Sequence, residues 1–119
     1  MMSKQIIWHK IASSANEIPF LENGMVEIEI GGKKVCLVLR ENNIYACATK
    51  CPHAGGKMSA GYIDTLGNIV CPLHRYKFSI MSGRNVSGEG YFLKTYKIEH
   101  RESGVFIGFE NDGMFSWLK

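Results

Sequence analysis

Residues 25–40 read MVEIEIGGKKVCLVLR, and this stretch constrains the fold more than any other. Apolar residues alternate with Glu27 and Glu29 across Met25–Ile30, the period of a half-buried strand. Gly31-Gly32 follows, a two-residue hairpin signal. Lys33–Arg40 then runs back, with Val35, Leu37 and Leu39 expected on one face. Asn42-Asn43 predicts a second tight turn and Ile44–Thr49 a third strand. Further strands are expected at Asn68–Cys71, Tyr76–Ile80, Leu93–Glu99 and Val105–Phe109, with a turn at Ser82-Gly83. Helical periodicity is scarce. Near Ala12–Glu17, Ser13 or Ser14 is placed to cap a short turn that Glu17 would close. The expected class is all-β and antiparallel, with sandwich or barrel character.

A chain of 119 residues fits one domain, 1–119, and can bury a core without disulfides. The net charge of +3 is too mild, and lysines and arginines too dispersed, to predict nucleic-acid binding. The N-terminal stretch is broken by Lys4, Gln5, His9 and Lys10, so no signal peptide is expected, and no apolar run is long enough to span a bilayer. A cytoplasmic location is the expectation. There, four cysteines point to ligands or buried thiols ahead of disulfides. Cys36 and Cys47, both within apolar strand patterns, are read as buried, unpaired thiols. Trp8, Trp117, Tyr45, Phe78, Phe106 and Phe109 are read as core.

Two short boxes carry the chemistry. Cys51-Pro-His53 is followed, after seventeen residues, by Cys71-Pro-Leu-His74. Each box follows a strand signal and opens a tight loop, so four side chains can converge from two facing loops. A structural zinc site is one reading, because two thiolates and two imidazoles suit tetrahedral zinc. Zinc fingers, however, usually group cysteines in one loop and histidines in another. One Cys and one His per loop suits a two-iron centre, in which one iron takes both thiolates and the other both imidazoles.

CPH-x17-CPLH, with AGG after the first box and RYKF after the second, resembles the Rieske [2Fe–2S] family. MSAGYID and CPLHRYKFSIMSGRNV extend the likeness, which is strongest from Cys36 to Val86. The resemblance implies a Rieske fold, with a cluster-binding subdomain of about 46–82 inserted in the β base. It also implies Cys51 and Cys71 on one iron and His53 and His74 on the other. Formal charge explains the choice of residues. Neutral imidazoles in place of two thiolates leave the core less negative, so an electron is added more easily. The potentials of the class lie at roughly −150 to +300 mV, and the electron is expected on the iron held by His53 and His74.

Quinol-oxidising members carry an extra cysteine in each box, and these form a disulfide. The matching positions here are Gly56 and Leu73, so that bridge is excluded. That branch also supplies a serine and a tyrosine hydroxyl near the cluster, where this chain has Tyr76 and Phe78. Fewer donors imply a potential toward the low end of the range. The resemblance is therefore to soluble, monomeric carriers that pass single electrons from a flavin-containing reductase to an oxygenase. The small subunit of a nitrite reductase is the alternative, and a structural zinc protein the second. No nucleic-acid or membrane partner is expected, and no reaction is expected of the chain alone. His9 and His100 read as ordinary strand histidines. Lys50, Lys57, Arg75 and Lys77 form a basic rim about the boxes, either simply solvated or able to steer an acidic partner surface. Many relatives cover the cluster with a proline-containing loop. Here that region is Ser87-Gly-Glu-Gly-Tyr91 and is expected to be less fixed.

Overall fold

The computed structural model of the chain describes residues 5–53 and 55–111. Among them lie nine strands and two short 3₁₀ turns, with no α-helix, and the strands pair antiparallel. The fold is all-β. No helix of the described residues is long and apolar enough to cross a membrane. The described residues form two compact units, one of those up to 18 with those from 96 onward, the other of those between 19 and 95.

In the first unit β1 (Gln5–Ala12) pairs with β9 (Gly104–Asn111), and β9 with β8 (Thr95–Arg101). Val105, Ile107 and Phe109 alternate along β9 and are all buried, the period-two pattern seen in the sequence. Trp8 and Phe106 are half-buried, and the guanidinium of Arg101 lies over both rings, 5.2 Å and 4.2 Å from their centroids. They act as an outer cation–π layer, not as interior core. Trp117 lies outside the described residues. His9 packs beside Phe109 at 5.2 Å on β1 and His100 is exposed on β8, ordinary strand positions for both. The expected turn is a 3₁₀ turn at Ala15–Glu17. Ser14 makes no side-chain cap, but the Ser13 N–H donates to Glu17 Oε1 at 2.8 Å, which is half of a capping box.

The second unit holds two sets of three paired strands. One has the order β4-β3-β2, from β2 (Met25–Ile30), β3 (Lys33–Arg40) and β4 (Asn43–Cys47). Gly31 and Gly32 both take positive φ, 58° and 79°, as a type I′ hairpin requires. The next turn falls one residue earlier than expected, on Glu41-Asn42, with φ of 52° and 68°, and Asn43 already belongs to β4. The facing of β3 also differs from expectation. Val35, Cys36, Leu37 and Val38 are all buried while Leu39 is 38% exposed, because both faces of the middle of this central strand are covered. The small sheet, β5 (Tyr62–Ile63), β6 (Asn68–Val70) and β7 (Lys77–Ser79), has the order β5-β6-β7. Between the sheets lies a core of Met25, Val38, Met58, Ile69, Phe78 and Leu93 together with all four cysteines. Burying a side chain such as Phe78, fully enclosed here, contributes about 1.5–3 kcal/mol.

Candidate metal centre

The two boxes open from the ends of β4 and β6. The first loop is fixed by its backbone. The Cys51 N–H donates to Gly56 O (2.7 Å) and the Gly55 N–H to Cys51 O (2.8 Å), so the chain turns tightly round the space beside the thiol. Met58, fully buried, donates its N–H to Thr49 O (2.9 Å) and anchors the far end of the loop. Asn23 ties the following turn back to β2. Its amide donates to Ser59 O (2.8 Å) and Gly61 O (3.1 Å), while its Oδ1 accepts the Met25 N–H.

The second loop is shaped by an unusual backbone. His74 and Arg75 both lie in the left-handed region, with φ of 62° and 59°, a conformation uncommon for residues with a Cβ. The Cys71 N–H donates to Tyr76 O (2.9 Å) across this reversal. The small sheet that carries the loop is braced at the opposite end by Asp64. Its Oδ1 accepts the N–H groups of Leu66 and Asn68, both at 2.9 Å, and Lys77 Nζ stands 3.8 Å from Oδ2. Burial pushes the Asp64 carboxyl up, but the Asn68 backbone and side chain, the Leu66 N–H and the Lys77 charge together hold it below its ordinary value.

The loops bring Cys51, His53 and Cys71 into one cluster, and His74 lies outside it, in contact with His53. One ligating atom each from Cys51, His53 and Cys71 lie within 4.8 Å of one another. Cys51 Sγ is 3.2 Å from His53 Nδ1, and His53 Nε2 is 2.9 Å from His74 Nδ1. The Leu73 N–H points at Cys71 Sγ (3.4 Å). Burial pushes the Cys71 thiol up, against the Leu73 N–H and reinforced by Cys51 beside it. Cys51 and Cys71 are buried, His53 is half-buried and His74 is exposed. Two soft anionic donors on the core side and two nitrogens on the solvent side are the donor set that a Rieske [2Fe–2S] cluster takes.

Gly56 closes the site from the first loop. A Cβ there would stand 3.0 Å from Cys71 Sγ and 3.1 Å from the Leu73 side chain. Side chains at the two positions matching the bridging cysteines of the quinol-oxidising branch would therefore touch, and here they are a glycine and a leucine.

Against a model of the Rieske [2Fe-2S] domain, the chain matches over residues 7–97. The chain belongs to the Rieske family. Among curated relatives, it is 29% identical over 100 residues to the ferredoxin component of the naphthalene 1,2-dioxygenase/salicylate 5-hydroxylase systems of Ralstonia sp, covering 83% of this chain and 93% of the relative. It is 31% identical over 88 residues to the naphthalene 1,2-dioxygenase ferredoxin component of Pseudomonas putida, covering 73% and 84%. Two solved structures share the fold. The ferredoxin of carbazole 1,9a-dioxygenase from Nocardioides aromaticivorans superposes with a TM-score of 0.70 at 19% identity, over 84% of this chain and 95% of that one. A protein described as the NADH-dependent nitrite reductase small subunit from Mycobacterium tuberculosis gives 0.73 at 18%, over 88% and 96%.

Several residues around this Rieske centre escaped the sequence reading. Tyr76 enters that reading only for its hydroxyl, yet its ring stacks on the His53 imidazole, with centroids 3.8 Å apart and planes at 29°. Tyr91 completes the cluster, 5.8 Å from His53 and 5.9 Å from Tyr76. The Ser87–Tyr91 loop has no proline, but Asn85 supplies another restraint by bonding to Lys77 O and to Glu89. Aromatic residues at 76 and 91 were the available signal, and their separation in sequence concealed it. Of the basic rim, Lys50, Lys57 and Arg75 are exposed, whereas Lys77 is half-buried beside Asp64. Cys36 and Cys47 are free and buried, as expected, but stand opposite each other in the β3–β4 register. The hydrogen bond to Cys36, then burial and the Cys36 charge, push the Cys47 thiol up.

Proposed function

We propose that this chain carries single electrons from a flavin-containing reductase to a ring-hydroxylating oxygenase, as a monomer in the cytoplasm. Cys51 and Cys71 hold one iron, and His53 and His74 the other. The observation that carries this reading is the sidedness of the site, with both thiols buried and both imidazoles toward solvent. A [2Fe–2S] group bound there supplies a one-electron couple. The protein's own part is to keep water from the thiolates, to orient the imidazoles and to leave their edge open to a docked partner. Leu73 and Tyr91, 45% and 42% exposed, give that edge an apolar margin, and Lys50, Lys57 and Arg75 give it positive charge that would steer an acidic surface. The ferredoxin components among its relatives support an oxygenase as acceptor. Residues 46–82 act as the cluster-binding part of a single domain, 1–119.

Purified protein should contain two irons per chain and, after dithionite reduction, give the electron paramagnetic resonance signal of a Rieske centre. A colourless, silent sample containing zinc would overturn the assignment. A free carrier should elute as a monomer and be reduced by a flavoprotein reductase. Constant co-purification with a large flavin or haem protein would instead make it a fixed subunit.

A further inference from the structure

The loop after β7 is organised by one side chain. Asn85 Nδ2 offers its two N–H donors to three acceptors within reach, Lys77 O (3.0 Å), Glu89 Oε1 (2.9 Å) and, longest, Ser87 Oγ (3.2 Å), and its Oδ1 accepts the N–H groups of Glu89 (2.5 Å) and Gly90 (2.8 Å). Ser87 Oγ accepts the Lys77 N–H (2.9 Å) and donates to the same Glu89 oxygen (2.5 Å). An exposed glutamate that would otherwise sample many rotamers is thus pinned to the end of β7. Two residues later Tyr91 packs against His53 and Tyr76, with ring centroids 5.8 Å and 5.9 Å away, so the loop that carries Glu89 is seated on the imidazole side of the site. The Ser87 hydroxyl first, then the Asn85 amide, hold the Glu89 carboxyl below its ordinary value, against weak burial and helped by His53. After burial, the Glu89 charge is the next influence that pushes the Tyr76 phenol up. No described cation pairs with Glu89, and Lys77, the nearest on β7, stands against Asp64 at 3.8 Å.

We propose that Glu89 sets the potential of this centre: held by Asn85 and Ser87 on the loop whose Tyr91 packs against His53, its negative charge disfavours arrival of the electron. Asn85 is its positioning residue. The inference rests on the cluster assignment made above. It adds a charge to the shortage of hydroxyl donors as a reason for a low potential. Because the carboxylate is exposed, salt screens it.

The test is a redox titration of cluster-loaded wild type, Glu89→Gln, Asn85→Ala and the double variant, at low and high ionic strength. Glu89→Gln keeps an oxygen that accepts from Asn85 and Ser87, so the loop stays in place while the charge goes. Its reduction equilibrium should shift toward the reduced form by about three- to tenfold at low salt, a tenfold shift being about 59 mV for a one-electron couple, and less at high salt. Asn85→Ala should shift the same way by less, and adding it to Glu89→Gln should change nothing further. Glu89→Gln alone decides the matter if Asn85→Ala fails to fold. An unmoved or lowered potential in Glu89→Gln, with iron content and resonance line shape intact, would overturn the role of Glu89 and leave the carrier function standing. Absence of iron from the wild-type protein would overturn both.

Discussion

The two sides of the candidate centre are built by opposite means. Cys51 and Cys71 are 2% and 0% exposed and share one core with Met58, Ile69 and Phe78. Their loops are tied by backbone bonds that leave little room, as Gly56 against Cys71 shows. His53 and His74, two and three residues further along, stand half-buried and exposed and are held by rings and a polar loop instead. The core side can keep thiolates dry and fixed, while the solvent side can be tuned by charge and touched by a partner. Each loop crosses from one environment to the other within a single turn. In the second loop this requires left-handed backbone at His74 and Arg75, conformations that persist where surrounding structure enforces them.

The comparison can be broken most severely at the ligands. Cys51→Ser or His74→Ala should abolish stable cluster assembly, read as loss of iron and of the reduced-state resonance signal. Full iron occupancy in either variant would remove that residue from the ligand set. Gly56→Ala comes next. A methyl pressed on Cys71 Sγ and Leu73 should cost about 1–3 kcal/mol by overpacking and lower iron loading, measured by urea denaturation and metal analysis. Unchanged values would mean that the core side is looser than its backbone bonds indicate.

Asp64 sharpens the comparison by testing the base of the second loop. Asp64→Ala should cost about 1 kcal/mol at neutral pH, the ordinary net worth of a lost hydrogen bond. The sign of its pH dependence follows from a folded-state value below the unfolded one of about 3.9. Its contribution is present above the unfolded value and is lost as pH falls through the folded value. Denaturation midpoints of wild type and variant should therefore converge under acid conditions, and a constant gap would contradict this. The smallest expected effect is on potential. Phe78→Tyr places a hydroxyl in the fully buried core beside the thiolate side and should raise the potential by tens of millivolts, on the order of one added hydrogen bond to the cluster. An unchanged or lowered potential would contradict the account of a low potential from scarce hydroxyl donors.

Much of this was legible in the chain itself. Alternation in Met25–Ile30 and the Gly31-Gly32 dipeptide gave both strand and hairpin, because side-chain period and positive φ are local properties. The spacing of Cys51, His53, Cys71 and His74 marked the site, because each box follows a strand signal and opens a tight loop, whereas the meeting of a loop from β4 in one sheet with a loop from β6 in another is decided by the fold. What the chain did not reveal depended on register and packing. A turn on Asn42-Asn43 would have set Cys36 opposite Thr49, whereas the turn on Glu41-Asn42 sets it opposite Cys47, and a one-residue slip changes every partner. Tyr76 over His53 likewise joins residues from separate segments. Local pattern fixes which way a strand alternates and which residues turn. Only the folded chain, by bringing distant segments within contact distance, decides which rings cover an imidazole.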